Sequence, residues 1–202
     1  MKLKSLTLEN FRQFHGKQDP IYFSQNSDRN VTIIFGANGA GKSTILNAFT
    51  WTFYNETSPS FENPDNIISE KAVREASKGD LLTARVSVEF DHKGKTYKAS
   101  RTRTERKTDG EFNTKIIETG LPKLIIIGSD GEAEESNNPE DHIEQVLPSS
   151  LHRFFFFDGE RIEQLAKDSA YKEVEHAIKN LLGLQILDRS ITHLEGAKHR
   201  LD

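Results

Sequence analysis

The sequence predicts an α/β fold, a phosphate-binding sheet with an antiparallel β lobe that ends in the start of a long helix. Three stretches of the 202-residue chain predict it. Residues 31–55, "VTIIFGANGAGKSTILNAFTWTFYN", pass from an apolar run through a glycine-rich loop into a helical pattern. Residues 81–106, "LLTARVSVEFDHKGKTYKASRTRTER", alternate Val86, Val88 and Phe90 and then turn on "DHKGK", as a β-hairpin does. Near the end, Leu187, Ile191, Leu194 and Leu201 recur at heptad spacing, with Lys198 at the skipped position.

Each element has a local reason. Leu3 to Leu8 alternate apolar and polar, which predicts a strand. "DPIYFSQNSDRN" reads as a turn, a short strand and a loop. Val31 to Phe35 form an apolar strand, and the helix after the glycine loop sets Ile45, Leu46, Phe49 and Phe53 on one broad face. Residues 55–80 are loop-rich, with a short helix around Glu70–Ala76. "LPKLIIIG" is a strand, and "SDGEAEESNNPEDHIEQVL" is an acidic solvated loop followed by a helix. That helix has Asn138 as its N-cap, Pro139 at its first position and acids in its first turn. "HRFFFF" reads as a buried strand, with the phenylalanines as core rather than a base-stacking platform. A long helix starts at about Ser169 and stops in mid-pattern without a glycine or proline signal, as at the root of a coiled coil; an ordinary amphipathic helix is the alternative.

Bulk composition narrows the function classes. Hydrophobic residues make up 35% and charged residues 29%, which suits a domain with an exposed helical extension. Without cysteine there is no disulfide, thiolate metal site or cysteine nucleophile. A formal charge of −4 confines any DNA contact to a local patch. The N-terminus has no signal-peptide core, and no apolar run reaches membrane-spanning length, so a cytoplasmic setting is expected. The seven histidines show no metal-ligand spacing.

"GANGAGKS", Gly36 to Ser43, satisfies the P-loop pattern in full, in the required context of strand before and helix after. Gly36, Gly39 and Gly41 let backbone N–H groups turn inward around phosphate oxygens, with Asn38 and Ala40 between them. Lys42 supplies charge to the β and γ phosphates, the Ser43 hydroxyl is a Mg²⁺ ligand, and the helix through Thr44 aims its positive end at the anion. The expected cofactors are therefore ATP and Mg²⁺. "FFFFDGE" has two readings from pattern alone. It could be a Walker B strand, with Asp158 holding Mg²⁺ and Glu160 activating water, or a core strand closed by an Asp-Gly turn.

"LTLENFRQFHG", "GANGAGKST", "FFFFDGE" and "AIKNLLGLQILDRSITHL" occur in one order and together resemble the N-terminal half of SMC-like coiled-coil ATPase heads. "RFFFFDGERIE" in particular resembles the DndD-type ATPases of bacterial DNA phosphorothioation systems. The resemblance implies a P-loop NTPase fold of the ABC/SMC type. Residues 1–168 are then the N-terminal half of a head, and residues 169–202 the helix leading into an arm. It also implies a split nucleotide site, with Walker B and signature motifs supplied by a C-terminal half. In that frame "FFFFDGE" occupies the Q-loop position and Asp158 stands where a glutamine is expected. An ionised carboxylate can ligate Mg²⁺ but cannot donate a hydrogen bond, so its role differs from that glutamine's. No "LSGG" signature and no second apolar strand ending in Asp-Glu occur, which agrees with the split site. The isolated chain is then expected to be nearly inactive as an ATPase. Its implied partners are its own C-terminal head half, a second head through ATP, DNA, and sulfur-transfer proteins of a modification complex. A general repair ATPase and a nucleotide-gated scaffold are the alternatives.

Arg12 and Gln13 match the "NFRQF" segment of such heads, whose arginine approaches the phosphates, and both are candidate nucleotide-binding residues; a surface turn arginine is the alternative for Arg12. "KASRTRTERK" puts Arg101 and Arg103 on one strand face and Lys98 and Arg106 on the other. That pattern fits either a DNA-backbone contact or a solvated edge strand.

Overall fold

The computed structural model describes residues 1–57, 63, 65–149 and 151–156. Two compact units divide the chain, Met1–Leu147 and Pro148–Asp202.

The first unit is built on an eight-stranded antiparallel sheet. Its strands are β1 (Lys2–Phe11), β2 (Phe14–Lys17), β3 (Ile21–Tyr22), β4 (Leu81–His92), β5 (Lys95–Lys107), β6 (Thr114–Thr119), β7 (Lys123–Ile127) and β8 (Ala133–Glu135). Their order is β2-β1-β4-β5-β7-β8, with β3 also on β1 and β6 also on β5. The hairpin β4–β5 runs in unbroken register from Leu81↔Arg106 to His92↔Lys95. Its turn works because Lys93 and Gly94 both take positive φ, the conformation a tight hairpin needs. One sheet face is covered, and on it Leu6, Leu8, Val86, Val88, Ala99 and Leu124 are all buried.

Three helices belong to this unit: α1 (Lys42–Tyr54), α2 (Glu70–Glu75) and α3 (Pro139–Val146). Aromatic contacts seat α1 on the sheet, with Phe11–Trp51 centroids 5.2 Å apart and Phe53–Phe90 5.9 Å apart. Phe49 and Phe53 are buried as expected, but so are Asn47, Thr50 and Thr52, while Ile45 and Leu46 are only half-buried. The buried surface is therefore wider and more polar than a single apolar stripe. Thr52 Oγ1 donates to Ala48 O at 2.7 Å, so the helix itself satisfies that hydroxyl. α3 begins at Pro139 with Asn138 at its N-cap, although the Asn138 side chain makes no capping hydrogen bond.

Several sequence expectations are corrected. Val31 to Phe35 lie in no strand, and Val31, Ile33 and Phe35 are 73%, 70% and 90% exposed. The run has the composition of a buried strand, yet none of the strands among the described residues pairs with it. The described part of "HRFFFF" is not a strand either: His152–Phe155 form a single helical turn, α4, in the second unit, with Phe155 exposed. Arg101 and Arg103 are not on a solvated edge. β5 is an internal strand, and both side chains are buried with Glu105 and Lys107 along its inner face. Part of the acidic loop forms strand β8, paired to β7. Asp158, Glu160 and the helix expected from Ser169 lie outside the described residues.

Candidate phosphate-binding site

The loop from Gly36 to Ala40 is exposed and leads into α1 at Lys42. Gly41 sits at the N-cap with φ 104°, and Ile45 N donates to Gly41 O at 2.9 Å to close the first helical turn. Glycine is required at this position twice over. The positive φ disfavours an L side chain, and a Cβ would lie 2.8 Å from Phe14 Cζ and 2.9 Å from Gln13 Nε2. Gly39 also has positive φ, 79°, but a Cβ there would meet nothing within 4 Å.

Lys42 Nζ donates to Gly36 O at 2.7 Å and to Ala37 O at 2.8 Å. The ammonium therefore spans the start of the loop and holds it curled over the helix N-terminus. Backbone N–H groups at such a terminus carry partial positive charge, and an anion seated there is favoured. Ser43 is exposed at the second helical position, and its hydroxyl makes no hydrogen bond among the described residues. A free hydroxyl at the loop mouth fits a Mg²⁺ ligand of the hard oxygen type. Thr44 is buried instead, and its Oγ1 donates to Gln13 Oε1 at 2.8 Å.

Gln13 belongs to the turn between β1 and β2, so this bond ties the sheet to the first turn of α1. The turn is anchored on its other side as well. Arg12 has φ 55°, its N–H donates to Ile67 O at 2.8 Å, and its Nη1 donates to Asn63 O and Asn66 O. Arg12 thus organises the segment before α2. A groove of about 390 Å³ opens here, lined by Arg12, Gln13, Asn66, Ser69, Lys71 and Arg74. Glu75 of α2 meets His15 Nε2 at 3.2 Å, which holds α2 against β2.

The structure brings the contiguous loop Gly36, Asn38, Gly39, Ala40, Gly41, Lys42, Ser43 and Thr44 against Gln13, while the Arg12 guanidinium donates to the carbonyls of Asn63 and Asn66; Asp158 lies outside the described residues. Sequence reasoning placed Gln13 as a nucleotide contact, whereas its amide is engaged with Thr44. It missed the groove residues Asn66, Ser69, Lys71 and Arg74, which carry no local motif. Among the described residues no cluster of His, Asp and Glu could hold a metal ion, and no helix is long and apolar enough to cross a membrane.

Comparisons with known proteins agree with this geometry. A family model described as an AAA domain matches residues 5–201. The SbcC component of the nuclease SbcCD from Vibrio cholerae is 32% identical over 149 residues, 73% of this chain and 14% of that protein. The DNA double-strand break repair Rad50 ATPase of Methanococcus maripaludis is 29% identical over 112 residues, 55% of this chain and 10% of that protein. The chain thus spans only a small part of the length of either relative. A solved chain from a study of ATP-driven dimerization and DNA-stimulated activation of SMC ATPases aligns with a TM-score of 0.50 at 17% identity, covering 86% of this chain and 96% of that one. At that identity the likeness is one of fold, and the fold is that of an SMC-type ATPase head.

Proposed function

The chain belongs to the AAA-domain family, and from that premise we propose that it is the nucleotide-binding N-terminal half of an SMC-like, DNA-processing ATPase head. The observation that carries this reading is the Gly36–Ser43 loop on the N-terminus of α1, with Lys42 lodged on the Gly36 and Ala37 carbonyls. In this reading backbone N–H groups of Asn38 to Lys42 bind the β-phosphate and Lys42 bridges the β and γ phosphates. Ser43 would hold Mg²⁺ from this half, and the metal would supply neutralisation of phosphate charge. Thr44, held by Gln13, fixes the pitch of the first helical turn. Asp158, whose sequence position matches the Q-loop, would supply a carboxylate to the metal and the attacking water.

Hydrolysis in this proposal needs a C-terminal half. The exposed apolar run Val31–Phe35 supports that, because five residues of strand composition beside a phosphate loop lack a strand partner among the described residues, with Thr32 Oγ1 accepting from Ser24 N–H at 2.8 Å. ATP then joins two completed heads, and a cytoplasmic role on DNA follows. The process acted on has two supported readings. "RFFFFDGERIE" supports DNA phosphorothioate modification with sulfur-transfer partners; the likeness to SbcC and Rad50 supports double-strand break repair.

Calorimetric titration with ATP, with Mg²⁺ and with chelator, tests the site: the wild-type chain should bind and Lys42→Ala should not do so at comparable concentrations. Equal binding by both would remove the loop from the proposal. Chromosomal Lys42→Ala followed by mass spectrometry of digested DNA separates the processes. Loss of phosphorothioate linkages supports modification, and unchanged linkages with new sensitivity to double-strand breaks supports repair.

A further inference from the structure

The strand β6 pairs with β5 along one edge only; among the described residues nothing pairs with its other edge. Its six residues, "TKIIET", run almost fully exposed, and the apolar side chains in and around it are open to solvent: Phe112 45%, Ile116 50%, Ile117 49% and Leu121 73%. An exposed strand edge carrying β-branched residues is a template for pairing with another strand. The sequence of this edge is its own complement. Antiparallel pairing about a twofold axis between Ile116 and Ile117 sets Ile116 against Ile117 of the second copy. The same register sets Lys115 against Glu118 and Thr114 against Thr119. Both exposed isoleucines therefore meet an apolar partner, and both charges in the strand meet an opposite charge. Directly opposed pairs of these kinds are the ones that stabilise antiparallel sheets.

We propose that β6 is a homotypic docking strand, through which the chain pairs edge to edge with a second copy of itself. The contact is isologous, so it closes as a dimer and leaves no further edge of this kind exposed. β6 carries one extra residue, Ile117, relative to β5, since Glu105 pairs with Ile116 and Thr104 with Glu118. The resulting bulge lies on the twofold axis, with Lys115 and Glu118 flanking it on either side, so the charge pairs rather than the central backbone set the register. An interface this small makes a weak dimer on its own. Joined to any second contact between the same two chains, it gains from effective concentration. The inference does not depend on nucleotide, because β6 contributes nothing to the phosphate loop.

Sedimentation equilibrium of the 202-residue chain in nucleotide-free buffer with chelator tests it. The wild-type chain and Lys42→Ala should both show a concentration-dependent dimer. Lys115→Glu and Glu118→Lys should each weaken it at least about tenfold, since each places like charges opposite one another at both ends of the pairing. An equimolar mixture of Lys115→Glu and Glu118→Lys chains restores opposite charges at both positions and should recover the dimer as a heterodimer. Ellipticity equal to wild type in both variants shows that they are folded. A wild-type chain that stays monomeric into the high micromolar range, or single variants that dimerise as well as wild type, would overturn the proposal. Either result would leave β6 as a bulged edge guarded by its own charges. Failure of the wild-type chain to bind ATP, with its dimer intact, would sink the nucleotide reading alone.

Discussion

At the scale of single residues, the phosphate site is a set of backbone demands met by particular side chains. Lys42 is the clearest. Its ammonium spans two loop carbonyls, and charge-assisted hydrogen bonds to phosphate are the strong kind. Lys42→Ala should cost about 2–3 kcal/mol of ATP binding, roughly a 30- to 150-fold rise in Kd, read by calorimetry on a folded variant. Gly39 and Gly41 separate backbone strain from steric clash. Gly39→Ala adds only the strain of positive φ, about 1–2 kcal/mol. Gly41→Ala adds a collision with the Phe14 ring and the Gln13 amide and should be the more destabilising of the two in urea melts. Phe14→Ala should relieve part of the Gly41→Ala loss, a coupling that a double-mutant cycle measures. The loop motif was legible in sequence because its eight residues are contiguous. The clamp between Gln13 and Thr44 was not, because it joins positions 31 residues apart through a single hydrogen bond.

At the scale of elements, α1 is held at both ends by groups from the sheet. Its N-terminus is tied through Thr44 to Gln13. Near its C-terminus, Arg101 Nε donates to Thr52 O at 3.1 Å and Nη1 donates to Gly120 O at 2.8 Å. Carbonyls in the last turn of a helix have no partner within it, and a buried guanidinium satisfies one of them and complements the dipole there. Burial lowers the Arg101 pKa from the ordinary arginine value, with the charge of Glu140 opposing that shift. The side chain of β5 that sequence pattern assigned to an edge is thus the C-terminal anchor of the phosphate helix. Arg101→Met leaves the buried Thr52 carbonyl and the half-buried Gly120 carbonyl without their donor and should destabilise the fold by about 2–4 kcal/mol in denaturant titration. Lys98→Met, on the exposed outer face, should change stability by less than about 0.5 kcal/mol. Alternation placed Arg101 and Lys98 on opposite faces correctly. It could not say which face was inside, because the arginines occupy the face that the apolar residues of β4 pack on.

At the scale of the whole molecule, the exposed run Val31–Phe35 is the feature that looks beyond this chain. A segment of that composition gains most by entering a sheet, where its backbone is paired and its side chains leave water. Addition of the C-terminal half of the head should therefore slow amide exchange at Val31, Ile33 and Phe35 strongly, while exchange in β4 and β5 stays as it was. The same addition should raise ATP turnover from near zero. Robust hydrolysis by the 202-residue chain alone, abolished by Glu160→Gln, would instead make "FFFFDGE" a complete catalytic element. In a completed head Asp158→Asn should impair hydrolysis more than binding, which steady-state turnover against equilibrium titration resolves.

The sequence by itself determined the phosphate loop, the β4–β5 hairpin and the start of α3, since each depends on residues within a few positions of one another. A glycine at positive φ, a turn of "DHKGK" and a proline at a helix start act through local sterics, which sequence reports directly. Tertiary structure decided what pattern could not. It buried Arg101 and Arg103 within β5, drew Arg12 onto the carbonyls of Asn63 and Asn66, and left Val31–Phe35 outside any strand. Whether an alternating segment is central or at an edge, and whether an apolar run is covered, depends on which distant strands lie beside it. That is set by the packing of the whole sheet, and no window of neighbouring residues contains it.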